Sequence, residues 1–384
     1  MARFTFVGDL SLPRDLDRFY RGWDKNGRTF ATVNFGIKAG TSIVNVELFG
    51  MKTDEVYYTS NDNERISVDW DKRNDEDILK DCRYYDKHLC RLTEDKEFIA
   101  AYDLVEELSK VLPSYEGKVK VTGNVELQPY GKDGNNRVFT KYNIKNIYKA
   151  TDADKVGLYT DCDIFYNKDG VDTASYKTDK KIYLSAYMKQ YISDGSPSSK
   201  YIDNNGIRGE GQKGQTVYIP MNFVLNLDKI DMENPLHKKR ADYLIGELAK
   251  AKSNKKIYEQ EWHCSVVSGA EEVEFDETQL TEDQKVQIEV GLATLDDFKP
   301  KGNIYGSRVE EVRLLKPNLT GRFTDGIIEC VPEVFEELES ATMRYIEVES
   351  FADLIKETEE TEETEEEKKE ENYAAVDAIE DLFA

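Results

Sequence analysis

Between Lys181 and Ile192 the chain alternates almost without fault. Ile182, Leu184, Ala186, Met188, Gln190 and Ile192 take the even positions, and Lys181, Tyr183, Ser185, Tyr187, Lys189 and Tyr191 the odd ones. A period of two places successive side chains on opposite faces of a strand, so one face is apolar while the other collects tyrosines and lysines. The same period runs through much of the chain. In Thr29–Ile37, Ala31, Val33, Phe35 and Ile37 share one face, and Arg28, Phe30, Thr32 and Asn34 share the other. After Lys38–Ala39–Gly40 the run returns with Val44, Val46 and Leu48 inward, which reads as a hairpin. Val119, Val121, Val125 and Leu127 alternate with Lys118, Lys120 and Asn124, and Gly123 stands where a bulge is expected.

Such a chain is mainly β with inserted helices, an α+β barrel class, and its strands fall into two groups. Residues 1–150 predict strands near 29–37, 41–50, 55–59, 117–128 and 137–149, with a helical insertion over about 75–112. Within that insertion Asp75–Cys90 and Glu94–Leu112 read as helices, because Phe98, Ile99, Tyr102, Val105 and Leu108 recur at three and four residues and Pro113 follows. Residues 151–332 predict strands at Leu158–Tyr166, Lys181–Ile192, Thr216–Leu227, Ile257–Val267 and Ile304–Leu315. They also predict a helix at Leu236–Ala249 and another opened by a capping box of Thr281 and Gln284. A five-stranded barrel with a helix between its third and fourth strands is the OB architecture, so two tandem OB-like barrels are expected.

Residues 333–384 differ in kind. They hold 20 acids and 4 bases, so of a net charge of −24 only −8 belongs to the first 332 residues. Glu357–Glu371 contains ten Glu, three Thr and two Lys, which repel one another and have nothing to bury, so this segment is expected to be disordered. Apolar residues return at helical spacing in Ala375–Ala384, giving a solvated tether with an amphipathic tip.

The catalytic inventory is thin. Three histidines and five widely spaced cysteines form no Cys-x-x-Cys pair and no spacing of a structural zinc site, so the cysteines read as reduced, mostly buried thiols of a cytoplasmic protein. Gly209–Glu–Gly211–Gln–Lys–Gly214 spells a dinucleotide fingerprint but precedes a strand rather than a helix, which leaves a long hairpin loop over 193–215. Asp161, Asp163, Asn167 and Asp169 lack the glutamate that would complete a calcium loop. No cofactor, metal or catalytic residue is assigned, and neither a secretory leader nor a membrane span is read.

Three segments interleave aromatic and basic residues. The odd face of Lys181–Ile192 offers Lys181, Tyr183, Tyr187, Lys189 and Tyr191. Arg137–Lys149 contains no acid and places Arg137, Phe139, Lys141 and Lys145 on one parity, together with Lys149. Arg18, Arg21, Trp23, Lys25, Arg28 and Phe30 gather near the N-terminus against Asp24 alone. Rings on which bases stack and ammonium groups that meet phosphates are the means of binding unpaired nucleic acid without reading its sequence, and the residues do not separate DNA from RNA. Nothing resembles a recognition helix for duplex.

RFTFVGDL at the start, the FGIKAGTSIVNVELFGM hairpin, the KVKVTGNVEL and YNIKNIY pair, GAEEVEF with LDDFKPKGNIYG, and the acidic tail together carry a resemblance. Over most of residues 1–330 the chain resembles the single-stranded DNA-binding proteins of tailed bacteriophages, built from OB folds. The resemblance implies a non-enzymatic protein that coats unpaired DNA in replication and recombination in the infected cell. It also implies that the tail recruits replication or recombination enzymes through Asp377, Ile379, Glu380, Asp381, Leu382 and Phe383. The chain ends Leu–Phe–Ala, departing from the Pro–Phe tip usual in the bacterial proteins. Two other readings compete: an acidic virion or assembly protein whose tyrosine faces are subunit interfaces, and a metal-dependent nuclease built on Glu271, Glu272, Glu274 and Asp276.

Overall fold

The computed structural model describes residues 2–130, 137–192, 215–228, 230–251, 256–273, 280–299, 304–317 and 344–347. The loop over 193–214, with Gly209, Gly211 and Gly214, and the tail tip Asp377–Phe383 lie outside the described residues, as does Cys330.

The first strand, β1 (Arg3–Ser11), buries Phe4, Phe6 and Val7 and is followed by β2 (Tyr20–Lys25), β3 (Arg28–Ala39) and β4 (Ser42–Met51). An excursion carries β5 (Glu55–Thr59), β6 (Arg65–Asp69), β7 (His88–Arg91) and β8 (Asp95–Phe98), and leads into a helix at Ala101–Val111. Strands β9 (Lys118–Tyr130) and β10 (Arg137–Lys149) complete the unit. The hydrogen bonding closes on itself: β1 pairs with β3, β3 with β4, β4 with β10 in parallel, β10 with β9, and β9 with β1. This is an OB circuit, in which closure removes the free edges that an open sheet would expose.

The circuit then repeats. β11 (Gly157–Tyr166), β12 (Val171–Asp172), β13 (Lys181–Ile192) and β14 (Gln215–Asn226) precede a helix at Pro235–Ala249, after which come β15 (Lys256–Val273) and β16 (Ile304–Pro317). β11 pairs with β13, β13 with β14, β14 with β16 in parallel, β16 with β15, and β15 with β11. The two barrels are joined through their first strands, Arg3–Val7 of β1 running antiparallel to Gly157–Asp161 of β11, so that one 15-stranded sheet results. Side chains of both barrels form one continuous core, with Trp262, Tyr166, Phe4, Phe6, Phe35 and Phe223 among its largest members.

Several sequence expectations need correction. The first barrel begins with Arg3–Ser11, which periodicity did not assign, whereas 55–59 pairs only with Arg65–Asp69 in a separate hairpin. That hairpin covers a small second core of Val56, Tyr58, Cys82, Ile99 and Ala100. The insertion is less helical than its spacing suggests: only Glu76–Asp81 and Ala101–Val111 are α-helical, with the β7–β8 hairpin between them. Pairing of β7 with β10 buries Leu89 and Cys90, and this tertiary contact overrides the local pattern. Within residues 333–384, Arg344–Glu347 forms a strand, β17, against Lys256–Glu259; it lies before the glutamate-rich Glu357–Glu371 that is expected to be disordered, and the sequence pattern did not single it out.

The bulge lies opposite Gly123 rather than at it. β10 shifts register between Ile144 and Asn146, leaving Lys145 as the extra residue. A Cβ at Gly123 would run into the carbonyl of Asn143 and the ring of Phe4, so glycine lets the two strands and the core ring come this close.

In the second unit Thr281 accepts from the Gln284 amide while the Gln284 side chain accepts from the Thr281 amide, the reciprocal cap its spacing predicts. Cys82, Cys90, Cys162 and Cys264 are free and buried, and burial pushes the thiols of Cys82 and Cys90 up to about 11, which keeps them protonated and unreactive. Among the described residues no helix is long and apolar enough to cross a membrane.

Candidate nucleic-acid interface

The connection between β1 and β3 folds back as a strand. β2 pairs with the first half of β3, from Tyr20 opposite Val33 to Lys25 opposite Arg28, around the turn Asn26–Gly27. Both turn residues have positive φ, 53° and 74°, the conformation of a type I′ hairpin that Asn–Gly adopts readily. The Asn–Gly pair was therefore a signal for β2 that alternation alone did not use.

Because Ala31, Val33, Phe35 and Ile37 fill the core, Phe30, Thr32 and Asn34 face outward, and register brings Trp23 opposite Phe30. Their rings stack at 5.5 Å between centroids and 16° between planes. Phe49, on the outward parity of β4, completes a triad at 6.1 Å from Trp23 and 5.9 Å from Phe30, and is 52% exposed. The Arg21 guanidinium lies 5.6 Å from the centre of the Trp23 ring. Asp24, the one acid of the segment, accepts a 2.7 Å hydrogen bond from the Thr29 hydroxyl. Lys25 and Arg28 are exposed beside the turn. Arg18 stands apart at the other end of β2, 3.5 Å from Asp15. Tyr20 has a structural task, since its hydroxyl donates to Glu106 at 2.7 Å, a bond that pushes its pKa up to about 12. Phe49 was missed in the sequence although its parity, opposite to Val44, Val46 and Leu48, marks it as an outward aromatic.

On β10 the sequence-derived set divides. Phe139 is exposed, Lys141 sits on the same face 2.7 Å from Glu47 of β4, and Arg137 opens the strand. Lys145 does not join them. As the bulged residue it turns its Nζ onto the Asp86 carbonyl at 3.0 Å, and desolvation lowers its pKa.

In the second barrel β13 keeps the faces its alternation predicts. Ile182, Leu184, Ala186, Met188 and Ile192 are buried, while Tyr183 and Tyr191 are exposed and Tyr187 and Lys189 half-buried. The tyrosines stand four residues apart, about 13 Å from one to the next along the strand. Lys181 is bound to Glu311 at 2.8 Å, and Glu311 also accepts from Arg313 at 2.7 Å. Gln190, on the inward parity, reaches across to the first barrel.

Asp161 and Asp163 belong to β11, where Asp161 meets His263 Nδ1 at 2.8 Å, and Asn167 accepts from the Gly170 amide at 3.2 Å. Among the described residues no cluster of three or more His, Cys, Asp and Glu side chains is placed to hold a metal ion. Glu274 and Asp276, part of the acidic group considered for a nuclease, lie outside the described residues.

Comparison with solved structures pairs the chain with the wild-type single-stranded DNA-binding protein from Thermus aquaticus at 9% identity. The match covers 87% of this chain and 98% of that one, with a TM-score of 0.28. A deletion mutant of the same protein matches at 9% identity over 70% of this chain and 87% of that one, with a TM-score of 0.26. At scores this low the likeness carries no functional weight. No family model matches the chain, and no curated protein matches it.

Proposed function

We propose that this protein binds unpaired DNA without regard to sequence and without catalysing a reaction. The observation that carries this reading is the outward triad of Trp23, Phe30 and Phe49: Phe30 and Phe49 stand on the second and third strands of an OB barrel, and Trp23, with Arg21 beside it, on β2 hydrogen-bonded to β3. That face is where OB folds take oligonucleotides. Phe49 is exposed and Trp23 and Phe30 are half-buried, so each ring stays partly open to solvent; each base stacked on such a ring is worth about 1–3 kcal/mol, and phosphates pair with the flanking Arg21, Lys25 and Arg28. The tyrosine row Tyr183, Tyr187 and Tyr191 offers the second barrel's equivalent on β13.

In this reading the protein coats and protects single strands during phage replication or recombination, and the acidic C-terminus recruits the enzymes that act on them. The test is fluorescence anisotropy of a labelled oligo(dT) of about 30 nucleotides, with duplex competitor and EDTA, across a salt series. The expected result is tight binding that duplex does not displace and that weakens linearly in log–log with salt. Absence of binding at low salt, also for the chain ending at Val331, would discard the reading in favour of an assembly protein whose tyrosine faces are subunit contacts.

A further inference from the structure

The excursion between β4 and the helix Ala101–Val111 presents a second aromatic site. Tyr84 and Tyr85 form a short turn, their rings 6.0 Å apart and edge to face, and are 54% and 85% exposed. Rings this open bury little and so stabilise the fold little. Yet the turn that carries them is held at many points. The Asp86 carboxylate accepts from the Thr59 amide at 2.7 Å, the Asp86 carbonyl accepts from Lys145 Nζ at 3.0 Å, and the Arg83 amide donates to the Thr59 carbonyl at 2.9 Å. Hydrogen bonds from Thr59 keep the Asp86 carboxyl below its usual range, so the anchor stays ionised. Lys87 adds a 2.8 Å contact with Glu97. Two exposed rings on a rigid support are what a stacking partner needs, since little ordering entropy is left to lose on binding.

The position of the turn says which partner. The Tyr84 hydroxyl lies 3.3 Å from that of Tyr148, which ends the outward row of β10: Phe139, Lys141, Asn143, then past the bulge Asn146 and Tyr148. Lys141 and Asn143 of that row stand next to Glu47 of β4, two residues before Phe49 on the same outward parity. The two carboxylates along it are engaged, Glu47 by Lys141 at 2.7 Å and Glu126 by Asn143 at 2.8 Å. Behind the turn Arg83, Lys87, Arg91 and Lys145 are balanced by Asp81, Asp86, Asp95 and Glu97, with Lys87 and Arg91 both engaged by carboxylates. An aromatic and amide-lined track therefore leads over roughly 20 Å of strand from Lys141 to the tyrosine pair.

We infer that Tyr84 and Tyr85 form a second stacking subsite, which takes the same unpaired strand after it has crossed the Trp23–Phe30–Phe49 face and lengthens the footprint of the first barrel. This rests on the function proposed above. The test compares the full chain with its Tyr84→Ala/Tyr85→Ala and Tyr84→Phe/Tyr85→Phe variants on oligo(dT) of about 6 and about 30 nucleotides, with thermal melts as a folding control. The triad offers three rings, so the shorter oligomer is the one expected to be held there with least need of the tyrosine pair. The alanine pair is expected to weaken the 30-mer by about 5-fold or more while leaving the 6-mer within about twofold, and the phenylalanine pair to bind both as the wild type does. If the double variant melts early, Tyr85→Ala alone gives the same comparison, its ring being 85% exposed. Wild-type affinity of the alanine variant for both lengths, or an equal loss on both, overturns the subsite and leaves the proposed function standing. A wild-type chain that binds neither length overturns both.

Discussion

Gln190 of the second barrel treats Leu127 of the first as if it were a neighbouring strand. Its Oε1 accepts from the Leu127 amide at 2.6 Å and its Nε2 donates to the Leu127 carbonyl at 2.7 Å. One side chain thereby satisfies both backbone groups of a residue whose own side chain is buried, at the seam between the barrels. Gln190→Ala leaves an amide and a carbonyl without partners. A loss of about 1–3 kcal/mol in urea unfolding is expected, and a change below about 0.5 kcal/mol would show that water replaces the side chain at no cost.

The stacking face predicts a separation of binding from stability. Trp23→Ala and Phe30→Ala should each weaken oligo(dT) by about 1–3 kcal/mol and do so equally for mixed sequences, because every base offers a π-face. Their melting temperatures should stay close to wild type, since Ala31, Val33 and Phe35 on the other side of β3 hold the core. Equilibrium titrations beside thermal melts check both halves.

For the second barrel the triple change Tyr183→Ala, Tyr187→Ala and Tyr191→Ala should cost a few kcal/mol in binding, at about 1–3 per stacked base. A folded triple variant with unaltered affinity would confine the interface to the first barrel.

Acid should weaken the insertion before the barrels. His88 is half-buried, its Nδ1 donating to the Lys145 carbonyl at 3.2 Å, and desolvation together with the nearby Lys145 charge lowers its pKa from 6.5 to about 4. The folded state thus binds the proton more weakly than the unfolded chain. Stability from neutral His88 is fully present above pH about 6.5 and falls as pH drops toward 4, by an amount on the order of 3 kcal/mol at full protonation. Urea unfolding at pH 7 and pH 5 should show this slope, and His88→Gln should flatten it.

Removal of the acidic tail should tighten binding. A tethered polyanion competes for the protein's own basic face, and salt screens that competition. A chain ending at Val331 is expected to bind oligo(dT) more tightly at low salt, with the difference shrinking as salt rises. Identical curves would exclude the competition.

What local order fixes was readable from the residues. Alternation placed β3, β4, β11 and β13 and chose the inward faces of β3, β4 and β13, because a period of two commits each side chain to the core or to solvent. Capping chemistry placed the helix after Thr281, since a cap is satisfied within four residues. The gathering of aromatic and basic residues singled out Trp23, and alternation set Phe30 and the tyrosines of β13 on outward faces.

Only the tertiary structure decided which strands close which barrel. Arg3–Ser11 serves as the first strand of one barrel and as the seam to the other through hydrogen bonds to residues more than a hundred positions away, which no window of sequence contains. It likewise decided where alternation breaks. The bulge at Lys145 lets β10 keep Ile144 and Ile147 inside, and it moves the lysine from the binding face to the Asp86 carbonyl. The exposed pair Tyr84–Tyr85 emerges for the same reason. Pairing of β7 with β10 replaces the helix that spacing alone suggests, because burial of Leu89 and Cys90 against a neighbouring strand outweighs a weak local preference.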